Sequence, residues 1–587
     1  MKESKNLEAI RHSFAHLLAA AVKDLYPNAK PTLGPAIENG FYYDFDFASP
    51  ISEADLGAIE GKMKAILKSW QSKNADWFKG KTVSAKKAKD AFKGNEYKKE
   101  LIEEIKSRKE KITLYKTGDF IDLCRGGHAN KPFDLKENAF KLTSLAGAYW
   151  RGDEKNTMLT RIYGVAFENK KDLDAHLAML EEAKARDHRK LGAELDLFVS
   201  SEIVGAGLPL FTPKGTILRS ELEGYTKALR QKAGFEYVWT PHIAKDELYK
   251  KSGHWDKFED DIFHVQSKKT DIGFIIKPMN CPHHIQIFAN TPKSYKDLPI
   301  RYADTSTVYR DENTGQLQGL TRVRSITQDD SHVFCRKDQI KSEAKISQGI
   351  IKELYKNLAI EIKPTLSTHD PSQMKKYLGD KKLWAWAEKE LRSLLAENGK
   401  KAEEIKGEAA FYGPKIDYIG TDSIGRKHQL ATIQLDFNQP KRFNLEYINE
   451  KGKKEDVFML HVAVLGSTER FIGILIEHFA GKFPLWLSPV QARILAVSDK
   501  FQKYGRQVLD ELKEAGIRAE LAEANESLGK RIRQAKNDRI PYILVVGENE
   551  QSAGTVSPEN FRDGKLKEMK VTLLIKKLQK EIKEKKI

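Results

Sequence analysis

The sequence predicts a mixed multidomain protein: an α+β region over residues 1–185, a strand-rich region over 186–488 and a small α/β region over 489–587. Three observations carry this reading. The chain has 587 residues, enough for three or four domains that each bury a core. Apolar residues make up 40% and recur in periodic segments, as in globular rather than disordered chains. Strand-like and helical runs alternate along the C-terminal region, which argues a small α/β domain there.

Composition narrows the function classes. No apolar run reaches the roughly 18 residues of a membrane span, and the opening "MKESKNLEAI" has no signal-peptide core. A membrane partner is therefore not expected. The formal charge of +17 suits a polyanion, nucleic acid first, although a lysine-rich proteome gives the same number. Only three cysteines are present, Cys124, Cys281 and Cys335, which argues against a disulfide framework and for a reducing, cytoplasmic setting.

The first region contains "RHSFAHLLAAAV", Arg11 to Val22, a helical stretch. Phe14, Leu17, Leu18, Ala21 and Leu25 share one helix face, and His12 and His16 fall opposite, with Ala19, Ala20 and Lys23. The expectation is a histidine pair turned away from the core, with small neighbours that leave room for a ligand. "GFYYDFDF" follows as an aromatic strand, and the lysine-rich stretch near 60–115 reads as solvated helix faces. "DLCRGGH" then sets Cys124 and His128 four residues apart beside a Gly-Gly turn. Three histidines and a cysteine match the donor set of a tetrahedral zinc site; two unrelated surface pairs is the other reading. A charged amphipathic helix, "KDLDAHLAMLEEAKARDHRK", links to the next region.

In the middle region "STVYRDENTGQLQGLTRVRSITQDDSHVFC" reads as strand, glycine-containing loop, strand. Arg322, Arg324, Ile326, Gln328, Asp330 and His332 share parity in the second strand and so face one side. A strand face this polar makes poor core and a good floor for a polar substrate. Arg310 and Glu312 end the first strand and can face the same space. "VFMLHVAVLGSTERFIGILIEHFAG" runs as an apolar strand into a helix, with Ser467 as N-cap and Arg470 in the first turn. A cation there opposes the helix dipole and suggests a bound anion. Taken alone, His461 reads as a satisfied core histidine, and Cys281 in "KPMNCPHH" is ambiguous. In the last region "ARILAVS", "YGRQVLDELKEAG", "RAELAE", a further helix and "PYILVVG" form a βαβ alternation.

Together these segments resemble the class II aminoacyl-tRNA synthetases, and among them the threonyl enzymes. "PKGTILRSELEGYTKALRQKAGFEYVWTPHI" resembles motif 1, a helix and strand of the dimer interface; "YRDE" through "TRVR" resembles motif 2, and "GSTERFIGILIE" motif 3. "MNCP", "TQDDSHVF" and "YGPKID" narrow the resemblance to the threonyl enzymes, while "RHSFAHLL" and "DLCRGGH" resemble their second, serine-removing active site. The resemblance implies an N-terminal editing domain, a class II antiparallel-sheet catalytic domain and a C-terminal anticodon-binding domain. It implies a cytoplasmic homodimer that attaches threonine to tRNA(Thr) through threonyl-adenylate and clears Ser-tRNA(Thr). It also implies one catalytic-domain zinc per chain on Cys281, His332 and His461, and magnesium with ATP. Asp330 would hold the threonine hydroxyl or amine, and Arg310 its carboxylate and the α-phosphate. Glu312, Arg322, Gln429, Ser467 and Arg470 would hold ATP, Tyr412 and Gln434 would line the amino-acid pocket, and Gln328 joins the catalytic set. Gln429 and Gln434 differ in parity, so either a bulge intervenes or one stands back. For editing the resemblance implies His12, His16, Cys124 and His128, with Asp122, Tyr43 and Lys98 around them and no metal.

A two-site enzyme is what the substrates demand. A zinc that requires a hydroxyl rejects valine, whereas serine lacks only a methyl, which discriminates by roughly 10- to 200-fold. The sequence departs from the family in beginning at the editing region, without the small domain that often precedes it. Gly127 stands where proline is usual and His283 where glycine is usual, which predicts a looser turn at His128 and an extra ring near the zinc. The segment "GTVSPENFRDGKLKEM" lacks the arginine-rich pattern expected after "VVGENE".

Overall fold

The structure, a computed structural model, describes residues 5–72, 77–397 and 402–587. The chain forms two compact units, Met1–Glu181 and Glu182–Ile587, the division falling within the charged linker helix Lys170–Ala185. Among the described residues no helix is long and apolar enough to cross a membrane.

In the first unit the helix Lys5–Leu25 lies on an antiparallel sheet whose longest strands are Gly40–Asp46, Met158–Ala166 and Phe140–Tyr149. Phe14, Leu17 and Leu18 enter a core with Phe41, Phe45 and Ile162, against which the helix Leu56–Ser72 packs through Ile59, Met63 and Leu67. A separate three-stranded sheet, Lys79–Thr82, Thr113–Thr117 and Phe120–Leu123, carries the helix Glu96–Ser107. The His12–His16 side of the first helix does not face away from the core as expected. His16, Ala19 and Ala20 are buried along with Ala21, because this helix is apolar nearly all round. His16 instead meets Phe78 and Phe120 near the small sheet. Among its described residues the lysine-rich stretch departs from its reading where Lys98 is buried and where Lys79–Thr82 is a strand rather than a helix.

The second unit is built on an eight-stranded sheet. Six of its strands run antiparallel in the spatial order Ile300–Tyr309, Ser325–Cys335, Phe458–Ser467, Lys427–Asp436, Lys415–Thr421, Glu361–Thr368. The two short edge strands, Glu236–Tyr237 and Glu403–Lys406, join in parallel. One sheet face carries Val333, Leu460, Val462, Ile433 and Leu435 into the largest core, with helices Ile340–Lys356 and Thr468–His478. The motif-1-like helix, Pro213–Lys232, forms as expected, with Thr212 as N-cap and Pro213 at its start, but its strand is only Glu236–Tyr237. The strand after the loop begins at Ser325, so Arg322 and Arg324 lie in the loop and do not share its face. A bulge opposes Asp329 and Asp330 to Gly466 and Ala463, leaving Val464 and Leu465 without cross-strand partners. Asp329 Oδ2 accepts both freed N–H groups, at 3.0 and 2.9 Å, and the carboxylate is held by the fully buried Arg230. The C-terminal sheet pairs Ala519–Ala522, Ala492–Ala496 and Tyr542–Val546 in parallel, then Thr555–Asn560 antiparallel, with helices Gln502–Glu514 and Leu528–Asn537, matching the βαβ expectation.

Candidate functional site

Strand register builds the larger site. Across the polar face, Tyr302, His332, His461 and Gln434 stand in one cross-strand row, and Asp304, Asp330, Ala463 and Thr432 in the next. Ser467 faces Gln328 beyond them. A cleft of about 560 Å³ opens on this floor, lined by Arg310, Glu312, Arg322, Gln328, Gln429, Gln434, Ser467 and Arg470. Gln429 and Gln434 share the cleft because a bulge intervenes: Ala431 opposes Tyr418 but Gln429 opposes Ile419, so Leu430 is the extra residue. Gly466, at φ +70°, makes the turn into the helix Thr468–His478, where a side chain would strain the backbone. Ser467 caps it by accepting from Arg470 N at 3.2 Å. Glu469, in the acidic first turn, accepts from Thr327 N and from Arg219 at 2.8 and 3.0 Å, locking helix to floor. Arg322 donates to Glu312 and Gln316 at 2.7 and 2.6 Å, so the loop cation is aimed by its own loop.

At one end of the floor Cys281, His332 and His461 converge, all buried, with donor atoms within 4.8 Å of one another. Asp436 Oδ2 lies 2.9 Å from His461 Nε2, which turns Nδ1 toward His332 Nε2 at 3.0 Å. Two nitrogens on one tetrahedral zinc, each about 2.0–2.1 Å from it, stand roughly 3.3 Å apart, so the spacing fits that metal. Burial holds His332 well below the ordinary imidazole range, keeping it neutral as a ligand must be. Tyr412 stacks on His461 at 4.8 Å and donates to Gln434. Burial raises the pKa of Asp330, whose Oδ1 is 3.9 Å from His332 Nε2.

Sequence reasoning missed part of this surround. His284 Nδ1 lies 2.8 Å from His332 Nδ1, and His254 Nε2 lies 3.6 Å from Cys281 Sγ. The extra ring beside Cys281, His332 and His461 is not the expected one. His283 turns to the Tyr249 hydroxyl at 3.4 Å, and its neighbour His284 takes the position beside the ligands. The adjacent histidines of "CPHH" were the available signal, but helical geometry sends successive side chains to different sides. Cys335 is core.

In the first unit His12, His16, Cys124 and His128 also converge within 4.8 Å, so they are not unrelated surface pairs. Cys124 Sγ is 3.5 Å from both His12 Nε2 and His128 Nε2, and His16 Nε2 is 3.2 Å from His12 Nε2. A buried triad stands behind them. Asp122 contacts His16 Nδ1 at 3.2 Å and Lys98 Nζ at 2.5 Å, and Tyr43 donates to it at 2.5 Å. Burial opposes charge on His16, but Asp122 and Cys124 outweigh it and raise the imidazole to about 9. Burial likewise opposes the Cys124 thiolate, but the three rings outweigh it and lower the thiol to about 4. A cleft of about 720 Å³ opens over His12 and His128. Gly126 and Gly127, at φ +95° and +90°, make the turn, a conformation closed to proline.

Comparison with known proteins relates the chain to others by sequence and by fold. The family described as tRNA synthetase class II core domain (G, H, P, S and T) matches residues 263–479. The anticodon-binding domain matches 491–581, and the threonyl and alanyl tRNA synthetase second additional domain matches 112–163. The fold recurs in Cryptosporidium parvum prolyl-tRNA synthetase, 17% identical, over 68% of this chain and 77% of that one, with a TM-score of 0.54. Fold and cleft thus define a class II aminoacyl-tRNA synthetase. Threonine–tRNA ligase of Rubrobacter xylanophilus is 46% identical over 563 residues, covering 96% of this chain and 86% of that protein. That of Porphyromonas gingivalis is 46% identical over 586 residues, covering 99% and 88%. A crystal structure described as the RNA-binding domain of Cryptosporidium parvum threonyl-tRNA synthetase is 36% identical, covering 67% of this chain and 98% of that one, with a TM-score of 0.64. The chain belongs to the threonine–tRNA ligase family, and its reaction is the ATP-dependent attachment of threonine to tRNA.

Proposed function

We propose that the residues of the two clefts divide threonylation and proofreading between them, in three domains bounded at 185/186 and 488/489. In the catalytic cleft Arg310 pairs with the threonine carboxylate and the α-phosphate. Glu312, Arg322, Gln429, Ser467 and Arg470 hold ATP with its magnesium. Asp330 accepts from the threonine amine or hydroxyl, while Tyr412 and Gln434 close the pocket and Gln328 lines its floor. Cys281, His332 and His461 would hold a zinc ion, which would supply Lewis-acid recognition of a hydroxyl. The transfer needs no side-chain nucleophile, because alignment of carboxylate against phosphate within one preorganised floor carries the rate. The observation that supports this most is the single cross-strand row of His332, His461 and Gln434. Pyrophosphate exchange with threonine, serine and valine tests it: exchange with threonine and serine but not valine is expected, and equal exchange with valine overturns the hydroxyl-selecting metal.

In the N-terminal cleft, His12, His16, Cys124 and His128 orient the 3′ ribose of Ser-tRNA(Thr) and the attacking water, without metal. Asp122 holds His16 charged, and Tyr43 and Lys98 hold Asp122 in place. Metal analysis separates the clusters: one zinc per chain, lost in Cys281→Ala, is expected, and a second zinc lost only with Cys124 overturns the metal-free reading. The enzyme works as a cytoplasmic homodimer. Val199, Ile203, Val204, Leu210 and Trp239 are exposed apolar residues beside the motif-1-like helix, Ile203 being 98% exposed. A monomer mass by light scattering overturns that assignment.

A further inference from the structure

Three elements of the second unit meet at one buried imidazole outside the cleft lining. His188 opens the helix His188–Glu194 and is 3% exposed. Its Nδ1 lies 2.6 Å from Glu477 Oε1, on the motif-3-like helix, and its backbone N–H donates to the same oxygen at 3.1 Å. The other Glu477 oxygen is held by Arg426 at 2.5 Å. A carboxylate so placed accepts from Nδ1–H, which keeps the proton on Nδ1 and leaves Nε2 as an acceptor. Nε2 then accepts from Leu320 N at 3.0 Å. Both ring nitrogens are thereby committed, so the grouping of Asp187, His188 and Glu477 is a clamp rather than a metal site.

Leu320 is at the tip of the motif-2-like loop. Gln318 N donates to Arg322 O at 3.1 Å, and Arg322 N donates back to Gln318 O at 3.3 Å, closing a tight turn around Gly319, Leu320 and Thr321. Gly319, at φ +49°, permits the approach: a β-carbon there would stand 2.3 Å from His188 Nε2. Arg322 leaves this turn directly into the cleft.

We infer that His188 is a positioning residue for adenylate formation: by accepting the Leu320 N–H while donating to Glu477, it fixes the 318–322 turn against the motif-3-like helix and so sets where Arg322 meets ATP. The inference rests on the assignment of Arg322 to ATP. Without the imidazole, a buried amide loses its acceptor and the turn is free to shift, which weakens an interaction made by nucleotide and not by threonine.

Pyrophosphate exchange by the full-length enzyme, varying ATP and threonine separately, tests it. His188→Ala is expected to raise the ATP KM by about 10-fold, the scale of one unmet buried hydrogen bond, with the threonine KM unchanged. His188→Gln, which still offers Leu320 an acceptor, is expected to recover most of the loss. Gly319→Ala disturbs the same contact from the loop side, serves if His188→Ala does not fold, and is expected to raise the ATP KM alone. Arg322→Ala is the control. If it raises the ATP KM while His188→Ala and Gly319→Ala do not, the positioning role is overturned. Equal rises in both KM values, without rescue by glutamine, also overturn it in favour of general fold support. If Arg322→Ala leaves the ATP KM unchanged, the ATP assignment fails, and the positioning role with it.

Discussion

The two histidine–cysteine clusters offer nearly the same donors at nearly the same spacing, yet their surroundings prepare opposite chemistry. Around Cys124 the rings face an open cleft, and Asp122, itself paired with Lys98, contacts His16 from behind. His16 is held protonated and Cys124 deprotonated, an ion pair suited to moving protons and ordering water. Around Cys281 the same residue types are sealed, and burial keeps His332 neutral beside carboxylate-oriented His461. Donor identity alone therefore does not separate the two clusters; how far their rings are buried and what their charged neighbours do to them does.

The sharpest way to separate the two is to remove one cysteine at a time. Cys281→Ala is expected to lose the metal and to slow threonine activation on the order of 10³-fold, the scale of several kcal/mol of lost charge stabilisation. Hydrolysis of added Ser-tRNA(Thr) by that variant should be unchanged, and joint loss of both activities breaks the comparison. Next in size, His12→Ala should slow Ser-tRNA(Thr) hydrolysis by about 10²-fold or more while threonylation rates stay at wild type. Quench-flow charging and deacylation assays on one preparation read both.

The ion pair makes its own pH signature. Cys124 should alkylate with a midpoint near about 4 rather than the ordinary 9.0, and His16→Ala should move that midpoint up. A wild-type midpoint near 9 would dissolve the contrast between the clusters. Linkage gives the matching stability signs. The raised His16 stabilises the fold fully below pH 6.5 and loses this as pH rises toward about 9. The lowered Cys124 stabilises it fully above pH 9.0 and loses this as pH falls toward about 4. The smallest expected effect is that of Gly127→Ala, which places a side chain at φ +90°. A cost of about 1–2 kcal/mol should appear as a few degrees of melting temperature and a few-fold slower editing, with threonylation untouched.

Much of this was legible in residue order. Parity along Ser325–Cys335 marked Gln328, Asp330 and His332 as one polar face, and the N-cap at Ser467 followed from a glycine, a serine and a helical period. What escaped depended on contacts distant in sequence. Composition made Lys98 one more surface lysine in a basic stretch, and only the family resemblance set it with Tyr43 and Asp122, 55 residues before and 24 after, whose contacts explain its burial. Arg322 and Arg324 kept strand parity by coincidence, since hydrogen bonding of the strand starts at Ser325. His16 was misjudged because a helical wheel assumes one buried face, and this helix has two.

The bulge at Leu430 carries a consequence for how such a cleft can change over evolutionary time. Gln429 and Gln434 reach the same side only because one residue is left unmatched between them. A single insertion or deletion between the two would turn one of them out of the cleft, while substitutions leave the facing intact. The floor can therefore diversify freely in side-chain identity but not in length, and drift in this segment should be recorded as exchanges rather than gaps.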